Sequence, residues 1–372
     1  MKISGVNISG GIRLDPPVIP TPAGPSKFVV GAYGDDEKGA AYVYNTDGTG
    51  ELKIVASDGA QYDNFGYGVA ISDTKVVVGA LSDDDAGSGS GSVYVYNTDG
   101  TGEQKITASD GADNDRFGES VAIQGDKIIV GATGAGSNSG SVYVFNTDGT
   151  GEQKITASDG AANYRFGNAV AISDTKVVVG RAAEFGAAYI YNLDGTGELK
   201  ITASDGADND QFGRSVAITD TKIVVGAMQV DKDPVTAYNS GSVYVYNLDG
   251  TGELKITPSD ASIQGLFGSS VDATDTKIVV GSEGDNSYAG AVYVYNTDGT
   301  GELKITASDG AASDYFGRSV AIQGDKIIVG AFADNAYKGA VYVYNLDGTG
   351  EQKITASDAA DNDRFGRSVA AS

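Results

Sequence analysis

The stretch FGESVAIQGDKIIVGA at residues 117–132, followed by SVYVFNTDGTGEQKITASDG at residues 141–160, decides the fold. Residues 117–123 read as a strand, A. A tight turn at Gln124, Gly125 and Asp126 leads into KIIVGA (127–132), strand B, whose unbroken apolar run suits a strand covered on both faces. A Gly/Ser-rich loop follows. Strand C, SVYVFN (141–146), alternates Val with aromatic residues, so both of its faces are apolar as well. TDGTG (147–151) carries the Asp-Gly pair of a tight hairpin turn, and QKITA (153–157) reads as strand D. No segment shows helical periodicity.

Working outward, the same unit returns along the whole chain. Phe-Gly followed by a short apolar run occurs at Phe65, Phe117, Phe166, Phe212, Phe267, Phe316 and Phe365. A period near ~50 residues marks the blade of a β-propeller, a four-stranded sheet that cannot cover its own faces and stacks around an axis. The ends are permuted. The first copy begins at strand B, FVVGA (28–32), and the last residues, FGRSVAA (365–371), are a strand A with nothing after it. In a ring these fragments make one whole blade, whereas an open stack would leave two unpaired edges. Strand B glycines Gly31, Gly79, Gly131, Gly180, Gly226, Gly281 and Gly330 count seven blades. The expected fold is therefore all-β: a seven-bladed β-propeller at 27–372, four antiparallel strands per blade, closed by the C-terminal strand pairing with the N-terminal blade.

Composition narrows the function. The 372 residues include no Cys, no His and no Trp. This removes thiol nucleophiles, the commonest general base and the commonest zinc ligands, and argues against a Trp-bearing WD-type repeat. The net charge of -24 repels nucleic-acid phosphate and anionic lipid, so neither is an expected partner. Most of the 50 acidic residues are Asp, which favours turns. No apolar run approaches the ~18 residues needed to span a bilayer, so membrane insertion is not expected. Residues 1–14 do not read as a signal peptide. Lys105, Lys154 and Lys304 of strand D recur at equivalent positions in near-identical blades, which points to structure rather than to a single catalytic site. The chain reads as a non-enzyme.

The string FGxSVAI…DKIIVGA…GSVYVYN…KITASDGA resembles the bacterial FG-GAP repeat, a relative of the integrin α-subunit propeller, over residues 27–372. The resemblance implies a propeller with strand A innermost, a role in adhesion or protein interaction, and no catalytic residues. The final Pro of the family's motif is missing from every copy. The DxDxDG calcium loop of integrin-like members is also missing: the A–B connection is only Ser72-Asp73-Thr74 or Gln124-Gly125-Asp126, too short to wrap a cation that takes six to eight oxygens. That metal site is not carried over, and no cofactor is expected. Calcium bridging Asp110, Asp113 and Asp115, or Asp205, Asp208 and Asp210, of the D–A loops is the one alternative to their capping turns. The C–D turn from Asn97 to Glu103 reads as a plain hairpin turn.

Residues 1–14, MKISGVNISGGIRL, resemble the opening of structural proteins of cyanophage-like tailed phages. Residues 15–25 hold five of the seven Pro and form an extended, semi-rigid spacer. Residues 1–26 thus read as an anchor arm, with Ile3, Val6, Ile8 and Ile12 docking on other structural proteins of an assembly. The expectation is a structural or attachment module at a virion or extracellular surface, such as a fibre, tail or capsid-associated protein. The alternative is a bacterial surface or secreted adhesin. Strand order puts the D–A and B–C loops on one face and the uniform A–B and C–D turns on the other. The B–C loops differ greatly between copies, as at 81–92, 182–186 and 228–242, which marks a recognition face for a host-surface ligand. Candidate contacts are Asp83, Asp84 and Asp85 in one loop, and Asp231, Lys232, Asp233 and Tyr238 in another. Arg214, Arg318 and Arg367, each directly after Phe-Gly, are placed near the central channel, where acidic loops would hold them in ion pairs.

Overall fold

The computed structural model describes residues 26–183, 185–232 and 237–372. The anchor arm with Ile3, Val6, Ile8 and Ile12, and Asp233 of the longest loop, lie outside the described residues. Seven four-stranded antiparallel sheets account for the fold. Blade 3 shows the plan: strand A is Phe117–Gln124, B is Lys127–Ala132, C is Ser141–Asn146 and D is Gln153–Ile155. Residues of all seven A strands line one central channel, so A is innermost. Strand D keeps only three residues instead of the five expected. Beyond Ile155 the chain leaves strand C, because the Ser158 amide donates to Glu198 of the next blade at 3.0 Å.

The ring closes as its ends require. Ser368–Ala371 pairs antiparallel with Lys27–Ala32, in the register Phe28↔Ala371 to Gly31↔Ser368. Phe365 then meets Tyr42 edge-on with ring centroids 5.3 Å apart, as Phe65 meets Tyr94 and Phe117 meets Tyr143 inside continuous blades. Strands B and C are buried almost throughout, and the apolar clusters span neighbouring blades rather than single ones. Burying one such side chain contributes roughly 1.5–3 kcal/mol before conformational entropy is counted.

Blades meet at a pair of glycines. A β-carbon on Gly131 of strand B would lie 2.2 Å from the carbonyl oxygen of Gly167, the Phe-Gly glycine of the next blade. The approach recurs seven times, and Gly330 with Gly366 and Gly31 with Gly66 carry it across the closure. Beside it, Ser120 donates to the Gly167 carbonyl at 2.7 Å, and Ser215, Ser270, Ser319 and Ser368 repeat that bond. In blade 4 Ala169 replaces the serine, and the Asn168 amide reaches the Gly213 carbonyl instead at 3.2 Å.

Two outcomes follow from closure and contact. Removing residues 365–372 should lower the melting temperature by many degrees and drive association through the bared edge of Lys27–Ala32. Unchanged melting and a monomer on size exclusion would count against this. Gly131→Ala should cost about 1–3 kcal/mol by overpacking the blade contact, measured by urea unfolding, whereas Gly59→Ala in a loop, where a β-carbon meets nothing closer than 3.4 Å and the backbone φ suits any residue, should cost less.

Candidate functional site

The two faces differ as strand order requires. D–A loops bond to B–C loops, as in Asn114 N to Ser88 O at 2.7 Å, while C–D turns bond to A–B turns, as in Thr147 N to Asp126 O at 2.8 Å. The C–D turns satisfy themselves. Asp99 accepts from the Thr101 amide at 3.0 Å and from its hydroxyl at 2.6 Å, leaving a closed hairpin turn rather than an open ligand cradle.

The Asp-rich loops are occupied by the protein's own cations. Asp110 accepts from Lys154 Nζ at 2.6 Å and from the Tyr143 hydroxyl at 2.8 Å, both in the next blade. The same Asp–Lys–Tyr triad occurs at all seven junctions, with Asp358, Lys53 and Tyr42 spanning the closure. Lys154 holds the Asp110 carboxyl below the usual carboxylate range. Asp115 caps its turn by accepting the Ala112 amide at 3.0 Å, and burial raises its pKa. In blade 2 the ammonium of Lys105 sits among Asp58 and Asp83, each at 2.8 Å, and Asp85 at 2.5 Å. Burial opposes its charge, but the three carboxylates outweigh that and raise its pKa. Lysine thus stands where a divalent cation would collect oxygens, and among the described residues no group of three or more acidic side chains forms a metal site.

The candidate contact residues separate. Asp83 is buried and takes bonds from Ser92, Tyr94 and Lys105, whereas Asp84 and Asp85 are exposed at the loop tip. Asp231 and Lys232 are exposed. Asp231 accepts the Asn239 amide at 2.7 Å, and the Lys232 ammonium bonds the Pro258 carbonyl at 3.1 Å. Tyr238 is 49% exposed. Three B–C loops carry a one-turn segment that no periodicity announces, Ala135–Asn138, Asp285–Tyr288 and Asp334–Tyr337, each with left-handed residues inside.

The channel holds what distinguishes one blade from another. In strand A of blade 3, Phe117 pairs with Ala132 and Ser120 with Gly131, so a bulge at Gly118 and Glu119 turns the intervening side chain towards the axis. The channel mouth on the loop face is accordingly lined by Tyr67, Glu119, Asn168, Arg214, Ser269, Arg318 and Arg367, all different in setting. Arg318 pairs with Glu283 at 2.9 Å, the one expected ion pair that forms among the described residues. Arg367 donates to the Tyr67 hydroxyl at 3.1 Å and lies over that ring. Tyr67, Glu119 and Glu283 were not singled out in the sequence, although the position after Phe-Gly is the one that varies while its neighbours repeat.

The far half of the channel is apolar except for Asp272, which replaces the Ala of SVAI. It accepts the Ile322 amide of the next blade at 2.8 Å. Burial pushes its carboxyl up to about 6.

An all-β ring of seven four-stranded sheets whose neighbours meet at the Phe-Gly glycine and the strand B glycine defines a repeat β-propeller. The chain belongs to the FG-GAP repeat family, which matches residues 49–96, 101–145, 150–191, 196–246, 251–295, 300–344 and 349–372. Membership points to an interaction or adhesion module, and the family is typically non-enzymatic. No curated protein sequence matches the chain. Among solved structures the chain is similar to the crystal structure of the computationally designed Ika8 protein, at 16% identity and a TM-score of 0.54, over 85% of this chain and 81% of that one. At that identity the likeness concerns the fold alone.

Two measurements probe these groups. Lys105→Ala should lose roughly 1–3 kcal/mol, discounted from a fully buried pair for its partial exposure, and millimolar calcium should restore part of the loss in the variant but not in the parent. Asp272, whose folded pKa lies above its unfolded ~3.9, binds its proton more tightly when folded. Its contribution is therefore full below pH 4 and is lost as pH rises through 6. The difference in stability between Asp272→Asn and the parent should accordingly grow in favour of the variant from pH 4 to 6.5. A difference independent of pH would refute the assignment.

Proposed function

We propose that this propeller is a non-enzymatic attachment module that binds a partner through its D–A and B–C loops while residues 1–26 tether it to a larger assembly. The single observation that carries this reading is where large apolar side chains are left in water. Val55, Tyr62, Phe185, Tyr238, Ile263 and Tyr337 are each more than 40% exposed, and every one belongs to a D–A or B–C connection. These side chains stand in loops of several blades but all on the same face, where variable loops carry recognition. Asp84, Asp85, Asp231 and Lys232 stand among them as polar rim.

The larger assembly is a phage virion, with the loop face turned to a host-surface ligand. The start MKISGVNISGG and the Pro-rich spacer support this, since an alternating apolar peptide followed by a stiff segment suits an arm that docks while the ring is displayed. Candidate docking residues are Ile3, Val6, Ile8 and Ile12.

The test has two arms. Particles from the source should contain this chain, and a version lacking residues 1–26 should fold with unchanged melting yet fail to incorporate. Replacing Tyr62, Phe185, Tyr238 and Tyr337 together by Ser should leave melting within a few degrees and reduce binding to host cells at least tenfold. Particles without the chain would overturn the virion reading, and undiminished binding by the quadruple variant would overturn the loop-face reading.

A further inference from the structure

We propose that the channel mouth on the loop face is a binding site for an oxyanion, a carboxylate, sulfate or phosphate group gripped by Arg214 together with Arg318 and Arg367. Three guanidinium groups line one small recess of about 230 Å³ in a chain whose net charge is -24. That volume is below the usual range for a drug-sized ligand and suits a single anionic group. The position each Arg occupies repeats seven times around the ring, and at the others stand Tyr67, Glu119, Asn168 and Ser269. Basic residues are therefore no requirement of the fold.

The carboxylates of the recess have partners of their own. Glu283 is ion-paired with Arg318, and Glu119, whose carboxylate accepts the Thr133 hydroxyl, competes with an incoming anion. Arg367 lies with its guanidinium 4.8 Å from the Tyr67 ring centroid, which leaves its edge free to donate further. Arg214 makes no side-chain hydrogen bond or salt bridge among the described residues, and Glu283 and Glu119 act on it only through space. Burial and the neighbouring Arg318 make its charge less favourable, and burial with Arg318 and Arg214 brings Arg367 down to about 10. A guanidinium remains the always-charged side chain that forks onto an oxyanion. A guanidinium without an ion-pair partner in this recess is stabilised by an anion that accepts its forked N–H groups. Nothing in this site depends on the aromatic loop surface or on a virion, so the two readings fail separately.

Titration calorimetry on the full chain, at constant ionic strength in chloride, tests it with four probes: sodium phosphate, sulfate, acetate and glucuronate. Saturable binding with one site per chain is expected for at least one of them. The first two reporting alone would identify a tetrahedral anion, the last two a carboxylate. Arg214→Gln should weaken that binding at least tenfold with the melting temperature in chloride preserved, and Glu119→Gln, which removes a competing carboxylate, should tighten it. Should Arg214→Gln misfold, Glu119→Gln decides alone. Absence of saturable heat with all four probes, binding indifferent to Arg214→Gln, or no tightening in Glu119→Gln overturns the proposal.

Discussion

Everything in this ring rests on how close one blade's backbone comes to the next. At each junction the strand B glycine faces the carbonyl of the following Phe-Gly glycine with no space for a β-carbon. That contact sets the wedge angle between sheets, and seven equal wedges complete a turn. It also explains why the repeat is bracketed by Phe-Gly at one end and Gly-Ala at the other: the two dipeptides of neighbouring blades form one joint. Phe fills the space beside that joint against two aromatic residues of strand C, so the tightest backbone approach lies next to the largest buried side chains.

Charge follows the same division between joint and face. A chain with so many carboxylates would repel itself, yet each Asp–Lys–Tyr triad places an ammonium between blades and turns part of the acidic excess into cross-links. A second belt, Ser57 to Glu103 and its six counterparts, ties each D–A loop to the following blade. Each bond is exposed and small on its own. Their sevenfold repetition distributes cohesion evenly around the ring. The uniform exterior leaves individuality to the loops of one face and to the channel mouth, where repetition gives way to single residues.

Much of this was legible in the residues. Period, turn chemistry and the split blade specified strand count and closure, because each rests on local backbone preference or on pairing that has one partner available. Strand D ran shorter than its residues suggested, since β-branched Thr156 and small Ala157 suit a strand but have no strand beside them once Ser158 bonds across the junction. Asp83 read as a loop-tip acid like Asp84 and Asp85, and only the fold turns it inward to Ser92, Tyr94 and Lys105.

The sequence by itself determined the number of blades, their strand order, the side from which the variable loops emerge and the strand that closes the ring, because these follow from spacing, hydrophobic pattern and the missing strand of the first copy. Only the tertiary structure decided which charges neutralise one another. Asp110 meets Lys154 across a junction, Arg318 finds Glu283, and Arg214 makes no salt bridge among the described residues. Such pairings depend on distances of a few ångströms between residues far apart in the chain, and the bulge between strands A and B decides which side chain turns towards the axis.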